Sequence, residues 1–432
     1  MYRLIAFLVG LTADLFYRRH QMGARIPDDG PVLIVANHPN ALADPALLLR
    51  VTTRQIRSLA KEPLFRMPVI QWLVKGANAI PVYRAKDGFD TSKNAEVFRA
   101  VVDALAHGDV VALFPEGISH DEPGLQPLKT GAARMINDAL ARGDNAARVR
   151  VVPVGLTYRD KPAFRSDALV HVGEPIDARA FVDTLRARGE DPVRGLTDVI
   201  AERLRALTID LERFEDAPLV DLVTLFLPAS RAAHAPIDVA NAARTLKTVD
   251  PERYASLKGA LAAFHTRLKA RGLDAAHLDI RYTPSVLLFY VVRHSLALFA
   301  GLPLFLVGTL AYGAPFFFLR AVPRVLKTPA DTVATVRILG GLFIFPVWHL
   351  LLAIALVSTL PTRLGLPLSI ALPFVALYAH AFFRRRKRMV RDAAAFFRLA
   401  FSPSERASLT EERERVRHEV ALAERSLAQI SS

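Results

Sequence analysis

Cysteine is missing from all 432 residues, which excludes disulfides, thiolate metal sites and a cysteine nucleophile. A covalent intermediate, if one formed, would have to be carried by serine or threonine. Histidines show no clustered ligand spacing, so no metal site is expected. No zinc-finger, helix-turn-helix or RNA-binding signature occurs either. The formal net charge of +14 therefore does not point to nucleic acid. Much of the excess flanks apolar runs, at Arg18, Arg19, Arg320, Arg324, Lys327 and the block Arg384 to Arg388, which fits a membrane surface better. Charge itself is nearly absent from residues 284–319 and 338–383, although 23% of the chain is charged and 52% hydrophobic. Residues 17–280 read as a water-compatible sequence. A soluble catalytic part and a separate membrane part follow.

The amino terminus lacks an obvious small-residue cleavage site. Residues 2–17 are expected to form a retained interfacial helix with Leu4, Phe7, Leu8, Leu11, Leu15 and Phe16 toward lipid. A helix packed on the catalytic domain is the alternative. From residue 31 to about 175, short β-type runs alternate with helical patterns, the signature of an α/β layer. Strands are expected at 31–36, 57–60, 79–83, 109–114, 149–157 and 168–172. Thr91 and Ser92 are placed to cap one helix, and Thr130 precedes another that ends near Gly143. Asp-Pro pairs at 191–192 and 250–251 punctuate a helical region. At ~1.5 Å per residue, 284–319 is too long for a ~30 Å hydrocarbon core. Gly301-Leu302-Pro303 is the expected turn there, and Pro361-Thr362-Arg363 the turn dividing 338–383. Hairpins that dip in without crossing stay open, because Arg293, His349 and several prolines interrupt these runs. Ser408 and Glu411 are spaced as a capping box in a charged terminal helix. The expected organisation is 1–20 interfacial helix, 21–215 α/β domain, 216–282 helical connector, 283–388 membrane region of two helical hairpins, and 389–432 charged C-terminal helix.

The chemistry concentrates in Asn37-His38-Pro39-Asn40-Ala41-Leu42-Ala43-Asp44-Pro45, directly after an apolar strand. A neutral imidazole there can take a proton, and Asp44 can orient the ring and stabilise the imidazolium. The bland alternative is a hydrogen-bonded histidine followed by an aspartate N-cap with proline at the first helical position. Six residues along a continuous helix would set the two about 240° apart, so a turn must intervene. Pro39-Asn40 supplies one. Arg84 ends another strand; an isolated arginine is usually a surface charge, but its fork suits phosphate. Phe114-Pro115-Glu116-Gly117 follows a further strand, and Lys129 stands at the start of a helix whose free amides can face an anion.

These segments, with Val152-Pro153-Val154, occur in the order that resembles the glycerol-phosphate and lysophospholipid acyltransferases related to the bacterial lysophosphatidate acyltransferase. The likeness covers about residues 30–180. Five residues rather than four separate His38 from Asp44, and Asn78 stands where a glycine is often found. That spacing, with Ser119-His120-Asp121 and Pro127-Leu128-Lys129, is similar to the fungal glycerol-3-phosphate and dihydroxyacetone-phosphate acyltransferases. The resemblance implies an α/β fold, an acyltransferase-type mixed sheet flanked by helices, followed by C-terminal helical membrane hairpins. It implies transfer of a fatty acyl group to glycerol-3-phosphate or its 1-acyl form, with His38 as base and Asp44 holding it. Arg84, Glu116, Gly117 and Lys129 would bind the acceptor, Glu116 by fixing Arg84 or a glycerol hydroxyl. No cofactor is implied; acyl-CoA or an acyl carrier protein thioester is the co-substrate. The expected partners are membrane lipids, that donor and the glycerol-phosphate acceptor, with no nucleic acid, and the catalytic domain and basic loops face the cytoplasm. Another lysophospholipid or an amino-lipid acceptor, and an inactive membrane scaffold or transporter, stay as alternatives. Chain length, donor carrier and oligomeric state are left open.

Overall fold

A computed structural model of the chain describes residues 1–68, 70–84, 88, 94–227, 235–279 and 284–431. The cap expected at Thr91 and Ser92 and the boundary expected at residue 283 lie outside the described residues. The chain divides into two units, Met1–Glu212 with Leu326–Leu339, and Arg213–Val325 with Gly340–Ser432.

The first unit is built on one mixed sheet. Its strands are β1 (Tyr17–Gly23), β2 (Val32–Ala36), β3 (Ile56–Lys61), β4 (Ile80–Val82), β5 (Val110–Leu113), β6 (Arg150–Tyr158), β7 (Ser166–Val172) and β8 (Ile176–Asp177). They lie in the order β1-β7-β6-β2-β5-β3-β4, with β8 on β6. Neighbours are parallel except where β6 meets β7 and β8. Around the sheet stand α1 (Tyr2–Phe16), α2 (Ala43–Leu48), α3 (Ile70–Gly76), α4 (Asn94–Ala106), α5 (Gly131–Arg142), α6 (Ala178–Ala187) and α7 (Pro192–Leu207). The expected fold, a mixed sheet flanked by helices, is the one formed.

Strand β2 shows why. All five of its residues are buried, without alternation, because both faces of a central parallel strand are covered. Leu33 and Val35 meet Val101, Leu105 and Ile136 of α4 and α5, whereas Val32, Ile34 and Ala36 join Ala13 and Phe16 of α1 in a second core. Each fully buried aliphatic side chain contributes ~1.5–3 kcal/mol, so β2 is a fixed base for whatever follows it. Pro81 sits in β4, an edge strand, where its missing N–H does no harm.

Three expectations about this unit need correction. The N-terminal helix stops at Phe16, and residues 17–23 form strand β1 beside β7. Nothing in Tyr17-Arg18-Arg19-His20-Gln21-Met22-Gly23 alternates in hydrophobicity; the strand is held by pairing, with Arg18 and His20 both on Asp167. Phe16 is buried in the core rather than open, while Leu4, Phe7, Leu8, Leu11 and Leu15 remain exposed. Helix α1 thus packs on the sheet with one face and presents an apolar stripe with the other. Lastly, α2 begins at Ala43 with Leu42 at its N-cap, so Asp44 lies inside the first turn and is not the cap.

The second unit holds α8 (Ala217–Thr224), α9 (Ala235–Val249), α10 (Pro251–Ala270), α11 (Pro284–Val325), α12 (Val333–Thr359), whose first turns belong to the first unit, α13 (Thr362–Phe401) and α14 (Pro403–Ser431). Asp250 caps α10 by accepting from Arg253 N, as Asp191 caps α7 by accepting from Val193 N. Among the described residues three stretches, Ser295–Val325, Ala330–Thr359 and Thr362–Phe401, are long and apolar enough to cross a membrane. The break at Pro361 is present, but the turn expected at Gly301-Leu302-Pro303 is not: α11 runs through it. Three long helices therefore replace the expected four short passes. Gly301 serves packing instead, since a Cβ there would come within 2.3 Å of the Tyr378 hydroxyl. A proline inside an apolar helix is tolerable where packed neighbours compensate. His349 has its partner too: Nδ1 lies 2.7 Å from the Tyr312 hydroxyl. Ser408 and Glu411 fall inside α14 and cap nothing; Leu409 and Val416 of that helix are buried against Leu261, Phe264 and Leu268 of α10.

Candidate active site

Strands β2 and β5 are parallel with Val32 opposite Val110 and Val35 opposite Leu113, so both end at one level. The residues after them emerge side by side. His38, two residues past β2, stacks on Phe114, one past β5, with ring centroids 3.9 Å apart and planes 11° from parallel. Asn37 fixes the exit of the chain by pairing its side-chain amide with the Leu156 backbone, donating to the carbonyl at 2.9 Å and accepting from N–H at 2.7 Å. The backbone of His38 is held on both sides: its carbonyl accepts from His120 N at 3.2 Å and its N–H donates to Glu116 Oε1 at 2.7 Å.

The loop then reverses. Ala43 N donates to Asn40 O, and Ala41 takes a positive φ of 31°, a conformation that side chains with a Cβ rarely adopt. The turn the spacing required brings Asp44 Oδ2 to 2.8 Å from His38 Nδ1. Asp44 is fully buried and accepts two further hydrogen bonds, from Asn40 N at 2.7 Å and from the Tyr158 hydroxyl at 2.5 Å. With a carboxylate at Nδ1, that nitrogen carries the ring proton and Nε2 keeps its lone pair. The ring is 18% exposed, enough to meet a substrate.

Tyr158 was not legible as a site residue. Val154 of β6 pairs with Ala36, and the strand runs four residues further, so register alone places Tyr158 beside the loop that follows β2. Burial, then the charge of Asp44, push its hydroxyl well above the usual tyrosine range, which keeps it a donor. Tyr17 backs it, ring centroids 5.0 Å apart. Its hydroxyl accepts from Asn40 Nδ2 at 2.8 Å and donates to the Lys161 carbonyl at 2.5 Å; burial raises this group as well.

Glu116 is buried, and both its oxygens are engaged by protein donors: Oε1 by His38 N, Oε2 by His120 Nε2 at 2.5 Å and Gln126 N at 2.8 Å. Glu122 N donates to His120 Nδ1, so His120 carries its proton on Nε2 and donates it to Glu116. Sequence reasoning set Glu116 toward Arg84 or a glycerol hydroxyl; in the structure its carboxylate ties three segments together beneath His38. One residue on, Gly117 has a φ of 69°. Arg84 donates to its carbonyl at 3.3 Å, and a Cβ on it would stand 2.7 Å from Lys129 Nζ. Lys129 N in turn donates to Pro115 O at 2.8 Å. Arg84, Gly117 and Lys129, far apart in sequence, thus share one turn, and that turn begins at the phenylalanine on which His38 lies.

Residues 19–157 match the family described as Acyltransferase. The chain is similar to that family over this stretch. Its relatives include glycerol-3-phosphate O-acyltransferase 2 of Saccharomyces cerevisiae, 34% identical over 173 residues, which is 40% of this chain and 21% of that protein. An uncharacterized acyltransferase of Schizosaccharomyces pombe is 22% identical over 83% of this chain and 67% of its own length. The matched part thus spans about a fifth of the budding-yeast relative. Among solved structures, the 1-acyl-sn-glycerophosphate acyltransferase PlsC from Thermotoga maritima shares 18% identity, covering 45% of this chain and 80% of that one with a TM-score of 0.32, too loose a superposition to carry weight. His38, Asp44, Glu116 and Gly117 lie within the matched residues, as do Arg84 and Lys129.

Proposed function

We propose that the protein transfers a fatty acyl group from an acyl thioester to the hydroxyl of glycerol-3-phosphate or 1-acyl-sn-glycerol-3-phosphate, a step of phospholipid synthesis. The observation that carries this reading is the junction of two sites at one turn: a buried-carboxylate imidazole stacked on Phe114, and three residues later a glycine with Arg84 on its carbonyl and the Lys129 side chain against its Cα. His38 Nε2 takes the proton of the acceptor hydroxyl as its oxygen attacks the thioester carbonyl. The new ester bond forms, the carbon–sulfur bond breaks, and the proton passes from the imidazolium to the departing thiolate. Asp44 steadies the imidazolium in between. General-base help of this kind is worth ~10²- to 10⁴-fold, and positioning of the acceptor supplies much of the rest. Arg84 and Lys129 hold the acceptor phosphate, Arg84 with the fork geometry that suits it. Gly117 leaves room for both cations at the turn, and Glu116 acts beneath it as a brace.

The name of the budding-yeast relative favours glycerol-3-phosphate as acceptor. The apolar helices favour a membrane-bound enzyme acting on lipid precursors, with its basic residues on the cytoplasmic side. The test is product analysis by mass spectrometry on membranes carrying the intact protein or His38→Ala, given a long-chain acyl-CoA or acyl carrier protein donor. Glycerol-3-phosphate, its 1-acyl form and a neutral lysophospholipid are offered in parallel. A His38-dependent acylated phosphate is expected. A product formed equally by His38→Ala, or no product with either phosphate acceptor, would sink the reading.

A further inference from the structure

Residues 326–339 join α11 to α12, yet they belong to the first unit. They touch it at chemically specific points. Thr335, 6% exposed, accepts at Oγ1 from the N–H of Leu42 at 3.1 Å. Leu42 is the N-cap of α2, lying between His38 and Asp44, and its N–H is a donor that the helix itself leaves without a partner. Asp331 Oδ2 accepts from the Ser119 hydroxyl at 2.6 Å. Ser119 lies two residues past Gly117 and next to His120, the donor to Glu116. Arg337 donates to the Pro162 carbonyl, and Ala334 is buried in the same core as Val32 and Ile34. One short segment, entered from one apolar helix and continuing into another, thus holds both loops of the site: Thr335 the one that carries His38 and Asp44, Asp331 the one that carries Glu116 and Gly117.

We infer that Thr335 and Asp331 are positioning residues for the acyl transfer, and that the link between the first two apolar helices is a structural part of the active site. This rests on the function proposed above. The His38–Asp44 loop is the part in most need of such a brace. It turns through Ala41 at positive φ, a strained conformation that persists only where surrounding contacts over-determine it. Without the Thr335 hydroxyl the Leu42 N–H is left unpaired beside a buried residue, and the loop can relax, moving Asp44 relative to His38 while leaving Arg84 and Lys129 in place. The effect belongs in kcat and not in the KM for the acceptor.

Two measurements on the full-length protein in membranes test this. The first compares Thr335→Val, which keeps the shape and removes the acceptor, with Thr335→Ser, which keeps it. Thr335→Val is expected to lower kcat about tenfold or more, the scale of a small misplacement of catalytic groups, with the acceptor KM within about twofold; Thr335→Ser restores most of the rate. The second exploits the absence of native cysteine: the pair Ser119→Cys with Asp331→Cys is treated with a short bifunctional thiol reagent and the link is read by mass spectrometry. Formation of the cross-link supports the docking. Absence of the cross-link overturns the docking whatever the activity. A cross-link with an unchanged kcat in Thr335→Val overturns the positioning role. A cross-link in a protein that acylates no acceptor overturns the kinetic role through the functional reading, and leaves the contact standing.

Discussion

Replacing Tyr158 by phenylalanine removes one of the three donors on Asp44 while keeping the ring that packs against Tyr17. The lost hydrogen bond, 2.5 Å long, runs to a carboxylate with no exposed surface, and bonds to charged groups contribute ~1.5–3 kcal/mol. Its removal leaves Asp44 Oδ1 without that donor, whereas Oδ2 keeps Asn40 N and His38 Nδ1. The carboxylate then swings toward whatever can solvate Oδ1. If the full amount is felt in the transition state, at 1.4 kcal/mol per tenfold, kcat falls ~10- to 100-fold. The ceiling is the ~10²- to 10⁴-fold that general-base catalysis supplies. Steady-state acyl transfer in membranes should show that fall with the acceptor KM nearly unchanged. In a His38→Ala background the same change should do nothing further, because residues acting as one unit are not additive. A Tyr158→Phe enzyme that is folded and keeps kcat within about twofold, against the ~10-fold minimum expected from a lost charged hydrogen bond, would show that Asp44 does not depend on this donor and refute the reasoning.

Two further outcomes follow from the structure. Gly117→Ala places a methyl 2.7 Å from Lys129 Nζ at a φ of 69°; the left-handed backbone costs ~1–2 kcal/mol and the lysine must move, so acceptor KM should rise several-fold more than kcat falls, as read from initial rates against glycerol-3-phosphate. Asp167 is pulled the other way: burial would raise its pKa, but hydrogen bonds from His20 and Arg18 outweigh that and hold it below the usual carboxylate value. A depressed folded pKa adds stability above the unfolded value of ~3.9 and loses it as pH falls through the folded one. Pulse proteolysis of Asp167→Asn at pH 7 and pH 3 should therefore show a smaller acid-dependent loss than the wild type, and an equal loss would contradict it.

The sequence carried the α/β layer because β2, β5 and β6 are buried apolar runs ended by turn residues, a pattern dictated by local composition. It carried His38, Arg84, Glu116 and Gly117 as candidates because they follow strand ends, Asp44 because it closes the turn after His38, and Lys129 because it stands at a helix start. Strand β1 was hidden: its residues are charged, and it exists through long-range pairing with β7 and the two partners on Asp167. The path of α11 through Gly301-Leu302-Pro303 was hidden for a related reason, since that glycine answers to Tyr378 and Phe382 across a helix interface and not to a turn. Tyr158 and Thr335 carry no local signal at all. Tyr158 is found only from the register of β6, and Thr335 only from the return of a segment nearly 300 residues after the loop it holds.

That return also sets an order on synthesis. The body bearing His38 is discontinuous: it contains Met1–Glu212 and Leu326–Leu339. When Glu212 leaves the ribosome, the sheet has all its strands, but the Leu42 N–H and the Ser119 hydroxyl have not yet met Thr335 and Asp331. At ~5–20 residues per second, the wait while residues 213–325 are made is on the order of ten seconds. Throughout that interval all the strands are present without the final clasp, and the long apolar helix α11 emerges before the clasp can close. On the function proposed above, the full rate of acyl transfer is acquired only as the chain enters its second apolar helix.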